Sequence, residues 1–191
     1  MCIRDSPKTL VVACCDSRVD PAILLHCKPG DLFVIRNVAA LVPAVTQASN
    51  PCSVMSAIEY GVKHLNVEHI VVMGHSHCGG IHGLMAPESI AGETYIQDWV
   101  GIASPALERL QAMTGDEDEK TRSRHCEEGA VLISLDNLLS YPWIAERVKN
   151  GQLKLHALYY DLSEGNLYRF SPESEDFELL FHSEKIDVCD R

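Results

Sequence analysis

The sequence predicts an α/β fold in which a mostly parallel central β-sheet is flanked by helices. Three observations predict this fold. Short apolar, β-branched runs alternate with connecting and helical segments, which is the order of a parallel sheet with crossover helices. Residue types that bind soft metals come directly after two of these runs. Towards the end of the chain, a turn between two further runs indicates a strand or hairpin at the sheet edge.

The first elements are short and β-rich. Thr9–Cys14 is a continuous apolar run, as expected of a buried strand. Pro21–His26 has the length of a short helical turn, and Pro29–Asp31 is a turn signal. Leu32–Asn37 follows as a second strand, so two strands are expected before the first long helix.

A helix and a third strand come next. Ser53 is a suitable N-cap, and apolar residues then recur at helical spacing to about Leu65. Asn66 is a suitable residue for the end of this helix. The run His69–Met73 predicts a third buried strand, which Gly74 ends.

The second half of the chain is predicted to be mainly helical before it returns to the sheet. In Thr94–Leu110 we expect one helix before Pro105 and another after it. The remaining expected elements are a solvated link at Gly115–Lys120, helices at Glu127–Leu139 and Trp143–Lys149, a strand at Leu153–Tyr160, a turn at Asp161–Asn166 and a hairpin return at Leu167–Phe170.

Size and charge limit the classes of function. A chain of 191 residues is expected to form one domain with a substantial core. Its net charge of −11 argues against nucleic acid or an anionic membrane as a partner. Two acidic stretches, Asp116–Glu119 and Glu173–Glu178, are interpreted as solvated loops. The sequence has no apolar run long enough to span a membrane and no signal segment, so a reducing cytoplasm is the expected location.

The domain is expected to occupy residues 7–181, followed by a C-terminal tail at 182–191. The first six residues, Met1–Ser6, fit neither a helix start nor a targeting peptide. They resemble a translated adapter sequence, and we expect residues 1–6 to be non-native or disordered.

The chemistry is concentrated in two stretches that follow predicted strands. In the first, Cys14 and Asp16 are two residues apart, so their side chains can face one point while Cys15 faces away as a core thiol. Arg18 can form paired hydrogen bonds with the Asp16 carboxylate. Because an arginine and a metal both favour the charged form, Asp16 is expected to stay ionised.

In the second stretch, His75 and Cys78 form a tight chelating pair. Together with Cys14 they make a Cys2His set, which leaves a fourth zinc position for water or a carboxylate, as in catalytic zinc sites. The alternative is a core histidine and core cysteines that merely share a strand end. The joint pattern after two buried strands favours the metal site. His77 is expected to point away from His75, towards the second shell or the surface.

These residues resemble the β-class carbonic anhydrases. The resemblance covers about Pro7 to Phe181 and rests on four motifs in order: Cys14–Arg18, Pro29–Ala39, Glu59–Tyr60 and Gly74–Gly80. It implies a Rossmann-like sheet of that family and the reversible hydration of carbon dioxide to bicarbonate. It also implies one Zn2+ per chain, held by Cys14, His75 and Cys78.

The resemblance assigns roles to further residues. Asp16 and Arg18 would form the catalytic dyad, with Asp16 orienting the zinc-bound hydroxide or, when Arg18 releases it, closing the site as a fourth ligand. Phe33, Val38 and Tyr60 would form the apolar pocket for carbon dioxide, part of it across the interface of a homodimer or a dimer of dimers. The backbone amide of Gly79 would donate a hydrogen bond to substrate or bicarbonate.

Three features depart from the family pattern, and a fourth residue, Val11, indicates the subgroup. Asp5 stands where the family commonly has a substrate-binding glutamine, and Ala40 stands in place of an asparagine near the site. The long N-terminal arm of the family is not expected here. Val11 replaces the tryptophan that marks the bicarbonate-inhibited subgroup, which favours a constitutively open site.

Two other functions stay open on the sequence. The same fold and metal could hydrolyse carbonyl sulfide or carbon disulfide, since pocket shape decides between these substrates. A zinc-stabilised, non-catalytic binding domain is the other alternative, although such relatives usually lack a ligand or the Asp–Arg dyad.

Overall fold

A computed structural model describes residues 6–48, 51–112 and 118–182, and it has the predicted α/β architecture. The strands of this part form one six-stranded sheet in the order β2-β1-β3-β4-β5-β6. β1 to β4 are parallel, and β5 and β6 add an antiparallel hairpin at the edge. Their bounds are β1 Thr9–Cys14, β2 Leu32–Asn37, β3 His69–His75, β4 Lys154–Asp161, β5 Asn166–Ser171 and β6 Asp176–His182.

The longer helices pack on one face of this sheet, and the short helix α1 contributes Leu24 to the cluster on the other. On one face, the strand residues Leu10 and Val12 pack with Ile58 of α2 and Val131 of α6. On the other face, the alternate strand residue Val11 belongs to a second cluster. The helices are α1 Pro21–Leu24, α2 Ser53–Lys63, α3 Gly79–Met85, α4 Thr94–Val100, α5 Ser104–Ala112, α6 Glu119–Leu139 and α7 Pro142–Lys149, with 3-10 turns at Val38–Ala40, Pro87–Ile90 and Gly101–Ala103.

The first half of the chain follows the sequence closely, apart from the ends of α2. β1 and β2 have the predicted bounds. Ser53 is the first helical residue of α2 rather than its N-cap, since the extended residue before it is Cys52, whose side chain makes no capping bond. The helix ends at Lys63, and Asn66 adopts a left-handed conformation with φ 53° just beyond it.

Strand β3 continues two residues past its predicted end. Gly74 and His75 pair with Tyr159 and Tyr160 of β4, so the prediction that Gly74 ends the strand was wrong. The glycine serves helix packing instead, because a Cβ built on Gly74 would lie 2.5 Å from Cγ2 of Val131 on α6. As a result, the ligand candidate His75 belongs to the rigid sheet rather than to a loop.

Several later elements also begin earlier than predicted. Helix α6 starts at Glu119, where the Asp118 side chain accepts a hydrogen bond from the Thr121 amide at 2.7 Å. The break expected at Pro105 falls at the 3-10 turn Gly101–Ala103, because a proline is tolerated in the first turn of a helix. The predicted link at Gly115–Lys120 falls partly on residues 113–117, which lie outside the described residues.

The second acidic stretch is only partly a loop. Asp176–Glu178 opens strand β6, in which Phe177 is buried and its neighbours are exposed. The strand ends at His182, the first residue of the expected tail. Asp5 and the rest of residues 1–5 lie outside the described residues, so the division of the chain into three segments stays a prediction. Among the described helices, none combines the length and the apolar character needed to cross a membrane.

Candidate metal centre

The fold brings the two motifs together at the carboxyl end of the sheet. Cys14 is the last residue of β1 and His75 is the last residue of the neighbouring parallel strand β3. Cys78 follows three residues later, at the start of α3. The sulfur atoms of both cysteines and a ring nitrogen of His75 all lie within 4.8 Å of one another, and all three residues are buried. The three ligands predicted from the sequence therefore form one cluster.

The backbone fixes the orientation of the His75 ring. Nδ1 of His75 lies 2.9 Å from the carbonyl oxygen of Ser76. A carbonyl can only accept, so Nδ1 carries the proton and Nε2 presents its lone pair to the two sulfur atoms. Nε2 is buried and has no hydrogen-bond partner, which is rare for a polar atom and is explained by a ligand position. The residues present therefore fit a thiophilic metal ion.

The two thiols are electrostatically coupled. The hydrogen bond from Cys78 holds the pKa of Cys14 well below its usual range, against the opposing effect of burial, and the contact with His75 lowers it further. The same hydrogen bond and burial raise the pKa of Cys78. One thiolate therefore forms readily and the second is unfavourable without a cation. A metal ion placed among the three ligands would remove this conflict, because a coordinating thiol is deprotonated outright.

Cys78 is also held by groups that the sequence did not indicate. It is the N-cap residue of α3, and the backbone amides of Gly80 and Ile81 lower the pKa of its thiol, in opposition to the hydrogen bond with Cys14 and to burial. Its own amide donates to Oε1 of Glu127 on α6 at 3.0 Å. Glu127 is 49 positions away along the chain, so no local motif indicates this contact.

Asp16 and Arg18 form the predicted fork beside the ligands. Nε of Arg18 donates to Oδ1 of Asp16 at 2.9 Å, and its terminal nitrogen donates to Oδ2 at 2.6 Å. The Arg18 amide also donates to Oδ1 at 2.9 Å. These bonds hold the pKa of Asp16 well below its usual range, against a smaller opposing effect of burial. Asp16 is therefore a fixed anion in the Arg18-paired arrangement.

Arg36 on β2 organises the loop that carries these residues, and the sequence analysis did not identify it. Its guanidinium donates to the carbonyl oxygens of Cys14 at 2.9 Å, Asp16 at 2.6 Å and Val19 at 2.9 Å. The acceptors are backbone atoms, so no motif could indicate them. A single side chain thus fixes the path of the chain from the ligand Cys14 through Asp16.

A strained turn closes the other side of the cluster. Ala39 and Ala40 both adopt left-handed conformations, with φ 62° and 55°. The Ala39 backbone hydrogen bond is among the interactions that lower the pKa of Cys14. Nε1 of Trp99 donates to the Val38 carbonyl at 2.8 Å, which holds the turn in place. Asparagine adopts this backbone conformation more easily than alanine does, which gives the noted departure at Ala40 a structural meaning.

The expected substrate residues occupy two different regions. Val38 lines a cavity of about 400 Å³ together with Trp99 and Ile96. Gly79 lines a separate cavity of about 460 Å³ and has open space where a Cβ would be. Phe33 lies four residues before Asn37, the β2 residue paired with Cys14, so it is roughly 13 Å along the strand from that level.

Tyr60 packs beside Phe33, with ring centroids 6.2 Å apart, and is 47% exposed. The single chain therefore does not bring Phe33 and Tyr60 to the ligand cluster. Val38 does lie near it, because its turn packs against Gly80 of α3.

The position of Cys15 corrects one prediction. β1 ends at Cys14, and although the Cys15 amide still donates to the Asn37 carbonyl at 2.9 Å, the Cys15 side chain is exposed rather than part of the core. His77 is exposed as predicted, and its Nε2 lies 3.1 Å from the Ser163 hydroxyl.

Comparisons with known proteins agree on one family. The family model described as "Carbonic anhydrase" matches residues 9–167. The chain is 43% identical to beta carbonic anhydrase 5, chloroplastic, of Arabidopsis thaliana, covering 82% of this chain and 52% of that protein. It is 40% identical to beta carbonic anhydrase 6, mitochondrial, of the same plant, covering 95% and 63%. The chain thus spans between about half and two thirds of these curated relatives.

Solved structures give the same result. The beta-carbonic anhydrase CcaA superposes with a TM-score of 0.86 at 30% identity, covering 92% of this chain and 84% of that one. A tetrameric beta-carbonic anhydrase from Sordaria macrospora gives a TM-score of 0.73 at 31% identity, covering 87% and 82%.

Proposed function

The chain belongs to the β-carbonic anhydrase family, and we propose that it catalyses the zinc-dependent, reversible hydration of carbon dioxide to bicarbonate and a proton. One observation carries the proposal: the ionised Asp16, paired with Arg18, stands beside a buried cluster of Cys14, His75 and Cys78. A merely structural zinc site does not need such a carboxylate.

Cys14, His75 and Cys78 would hold one Zn2+ per chain. When bound, zinc supplies the Lewis acidity that makes hydroxide available near neutral pH, as in the three-histidine carbonic anhydrases, where the pKa of bound water is about 7. The exclusion of solvent from these three side chains favours tight binding, since the orphaned Nε2 of His75 has no competing partner.

Asp16 would orient the attacking oxygen. Its two carboxylate oxygens accept three hydrogen bonds from Arg18, and a carboxylate has about four acceptor positions. One position therefore remains for a hydrogen bond from water or hydroxide. Because Asp16 stays ionised, it acts as an acceptor and fixes the direction of the attacking lone pair.

Val38 and the Gly79 amide are proposed to contact the substrate from opposite sides of the ligand cluster. Carbon dioxide has no net charge and little polarity, so an apolar wall at Val38 suits its entry. The Gly79 amide, in the first turn of α3, would donate a hydrogen bond to the oxygen that becomes negative.

The active assembly is proposed to be a homodimer or a dimer of dimers in which Phe33 and Tyr60 complete the pocket of the partner subunit. Both lie by β2, an edge strand whose residue Val34 is 40% exposed. Sedimentation analysis of the wild type and of Val34→Asp would test this. The wild type is expected as a dimer or tetramer and the variant as a smaller species, and a monomeric wild type would contradict the proposal.

A cytoplasmic location is also proposed. The six described cysteines at positions 14, 15, 27, 52, 78 and 126 are free thiols, which supports a reducing compartment. Fractionation of source cells with an antibody to the protein would test it, and recovery in an organelle or in an oxidising compartment would contradict it.

The central experiment measures carbon dioxide hydration by stopped flow with a pH indicator, together with zinc content. The wild type is expected to bind one zinc and to be active, Asp16→Ala to keep zinc and lose activity, and His75→Ala to lose zinc. Cys15→Ser is the matched control for Cys14→Ser, because Cys15 is exposed and outside the cluster, and it is expected to keep both properties.

The alternatives predict different results. Zinc-loaded wild type that is inactive on carbon dioxide but turns over carbonyl sulfide or carbon disulfide would replace the proposed substrate. Full zinc occupancy with no hydration above background and no turnover of either sulfur compound would instead indicate a non-catalytic domain. Zinc content unchanged by His75→Ala would refute the ligand assignment.

A further inference from the structure

A buried carboxylate on α6 contacts the backbone of the segment between His75 and α3, which carries the ligand Cys78. Glu127 is 5% exposed. Its Oε1 accepts a hydrogen bond from the Cys78 amide at 3.0 Å, and its Oε2 accepts one from the Tyr159 hydroxyl at 2.7 Å. We propose that Glu127 is a positioning residue for the metal site, which holds the Cys78 backbone so that its sulfur faces Cys14 and His75 and thereby raises zinc affinity. This inference rests on the zinc site of the proposed function.

The chain around Cys78 needs such a support. Only Ser76 and His77 separate it from His75 at the end of β3, and His77 adopts a left-handed conformation with φ 56°. For a residue other than glycine that conformation costs on the order of 1 kcal/mol. The path from one ligand to the next is therefore a short, strained turn that external contacts must maintain.

Helix α3 also lacks its own means of satisfying the Cys78 amide. In a capping box, a glutamate or glutamine three residues after the N-cap bonds back to the N-cap amide. Here Cys78 is the N-cap and the corresponding residue is Ile81, which cannot accept. Glu127 supplies that acceptor from a different helix, so it couples the position of α6 to the position of a ligand.

Stability alone gives little reason for this carboxylate. Among the described residues, no lysine or arginine forms an ion pair with Glu127, although its neighbour Glu128 is paired with Arg124 at 2.8 Å. A buried anion without an ionic partner is usually less favourable than an apolar residue of the same size.

Tyr159, the second hydrogen-bond partner of Glu127, is itself held in place. Tyr159 on β4 is 1% exposed, and its ring packs against the rings of Tyr168 and Phe177, with centroids 6.4 Å and 6.2 Å away. The hydroxyl that bonds Glu127 is therefore held by the position of Tyr159 in the sheet. Glu127 is thus preorganised towards Cys78 before any metal arrives.

The test compares Glu127→Leu and Glu127→Gln with Glu128→Leu in the full chain. Glu128 is the matched control because it is a buried carboxylate one residue away that bonds Arg124 instead of the ligand loop. Zinc affinity is measured by competition with a chromogenic chelator, and melting temperatures are measured for zinc-loaded and zinc-free protein.

We expect Glu127→Leu to weaken zinc binding by about 10- to 100-fold, the usual effect of removing a group that orients a ligand. Glu127→Gln is expected to lose less, because its amide oxygen still accepts from the Cys78 amide. The rise in melting temperature that zinc produces should shrink in Glu127→Leu and stay at the wild-type value in Glu128→Leu.

A merely structural role gives a different pattern. If Glu127→Leu lowers the melting temperature equally with and without zinc and leaves zinc affinity unchanged, the inference is overturned. It is also overturned if Glu128→Leu weakens zinc binding as much as Glu127→Leu does. If Glu127→Leu does not fold, Glu127→Gln and Tyr159→Phe decide: wild-type zinc affinity in both refutes the role. A wild type that binds no zinc refutes the proposed function instead.

Discussion

The contact between Gly74 and Val131 gives a prediction whose size follows from the structure. A Cβ on Gly74 would lie 2.5 Å from Cγ2 of Val131, and its other neighbours would be at the ordinary distance of 3.8 Å. Gly74→Ala therefore creates one severe overlap, and relief requires α6 to move away from β3. Overpacking of a close-packed core costs about 1–3 kcal/mol, so we expect a loss of that size.

Removing the overlapping methyl group should reverse the effect. Val131 is 2% exposed, so Val131→Ala alone leaves a cavity and should lower the free energy of unfolding by about 1–3 kcal/mol. In the double variant the new methyl group of residue 74 fills part of that cavity. The two changes should therefore be strongly non-additive, with a favourable coupling energy of about 1–3 kcal/mol.

Urea denaturation of zinc-free wild type, both single variants and the double variant measures this coupling. Gly101→Ala is the control, because Gly101 has helical dihedral angles and nothing lies within 4 Å of its added Cβ. That variant should be neutral or more stable by about 0.4–1 kcal/mol. A coupling energy below about 0.5 kcal/mol would refute the packing role assigned to Gly74.

Two further predictions concern stability against pH and the loop that carries Cys14. Burial and the adjacent His69, with Nδ1 of His69 3.0 Å from Nε2 of His156, lower the pKa of His156 from its ordinary 6.5. The unfolded chain therefore binds more protons than the folded chain, so the stability present above pH 6.5 should be lost as the pH falls below 6.5. The urea midpoints of wild type and His156→Gln should converge as the pH falls below 6.5. A difference between the two midpoints that stays constant with pH would contradict this. Arg36→Met removes the charged donor of three backbone carbonyls, so it should lower the free energy of unfolding by about 2 kcal/mol and speed zinc release to a chelator. Arg36→Lys should recover only part of both losses. An unchanged rate of zinc release would contradict the role of Arg36 in holding the loop that carries Cys14.

The sequence predicted those parts of the fold in which local pattern and tertiary environment agree. β1 and β2 are short buried runs with turn signals at both sides, so their bounds were predicted correctly. The ligands Cys14 and His75 were found because parallel strands bring their carboxyl ends to one edge. The Asp16–Arg18 fork was found from the charges and the two-residue spacing, although Ser17 and Arg18 lie in a turn, with the Val19 amide bonding the Asp16 carbonyl at 3.1 Å, rather than in extended chain.

The errors came from residues whose roles depend on distant partners. Gly74 was interpreted as a strand end, but it makes room for Val131 on a helix far along the chain. The first turns of α6 carry a polar sequence without an apolar stripe, so the predicted start was eight residues late. Phe177 is buried in the acidic segment that was interpreted as a loop, and a single apolar residue does not indicate a strand.

The residues that support the metal ligands from other elements, Arg36 and Glu127, were also missed for a physical reason. Arg36 and Glu127 bond backbone atoms of residues 22 and 49 positions away, respectively. A backbone acceptor or donor carries no residue identity, so such contacts leave no recognisable spacing in the sequence. They are visible only once the chain has folded.

The hydrogen bond between Nδ1 of His75 and the carbonyl of the next residue has a kinetic consequence. The ring is locked in one tautomer and one rotamer, so an arriving ion meets a lone pair that already points at it. No search among side-chain conformations then precedes capture at this ligand. The rate of zinc uptake should instead depend on deprotonation of the thiols and on access through the protein surface, which makes the histidine the fixed point on which the site is assembled.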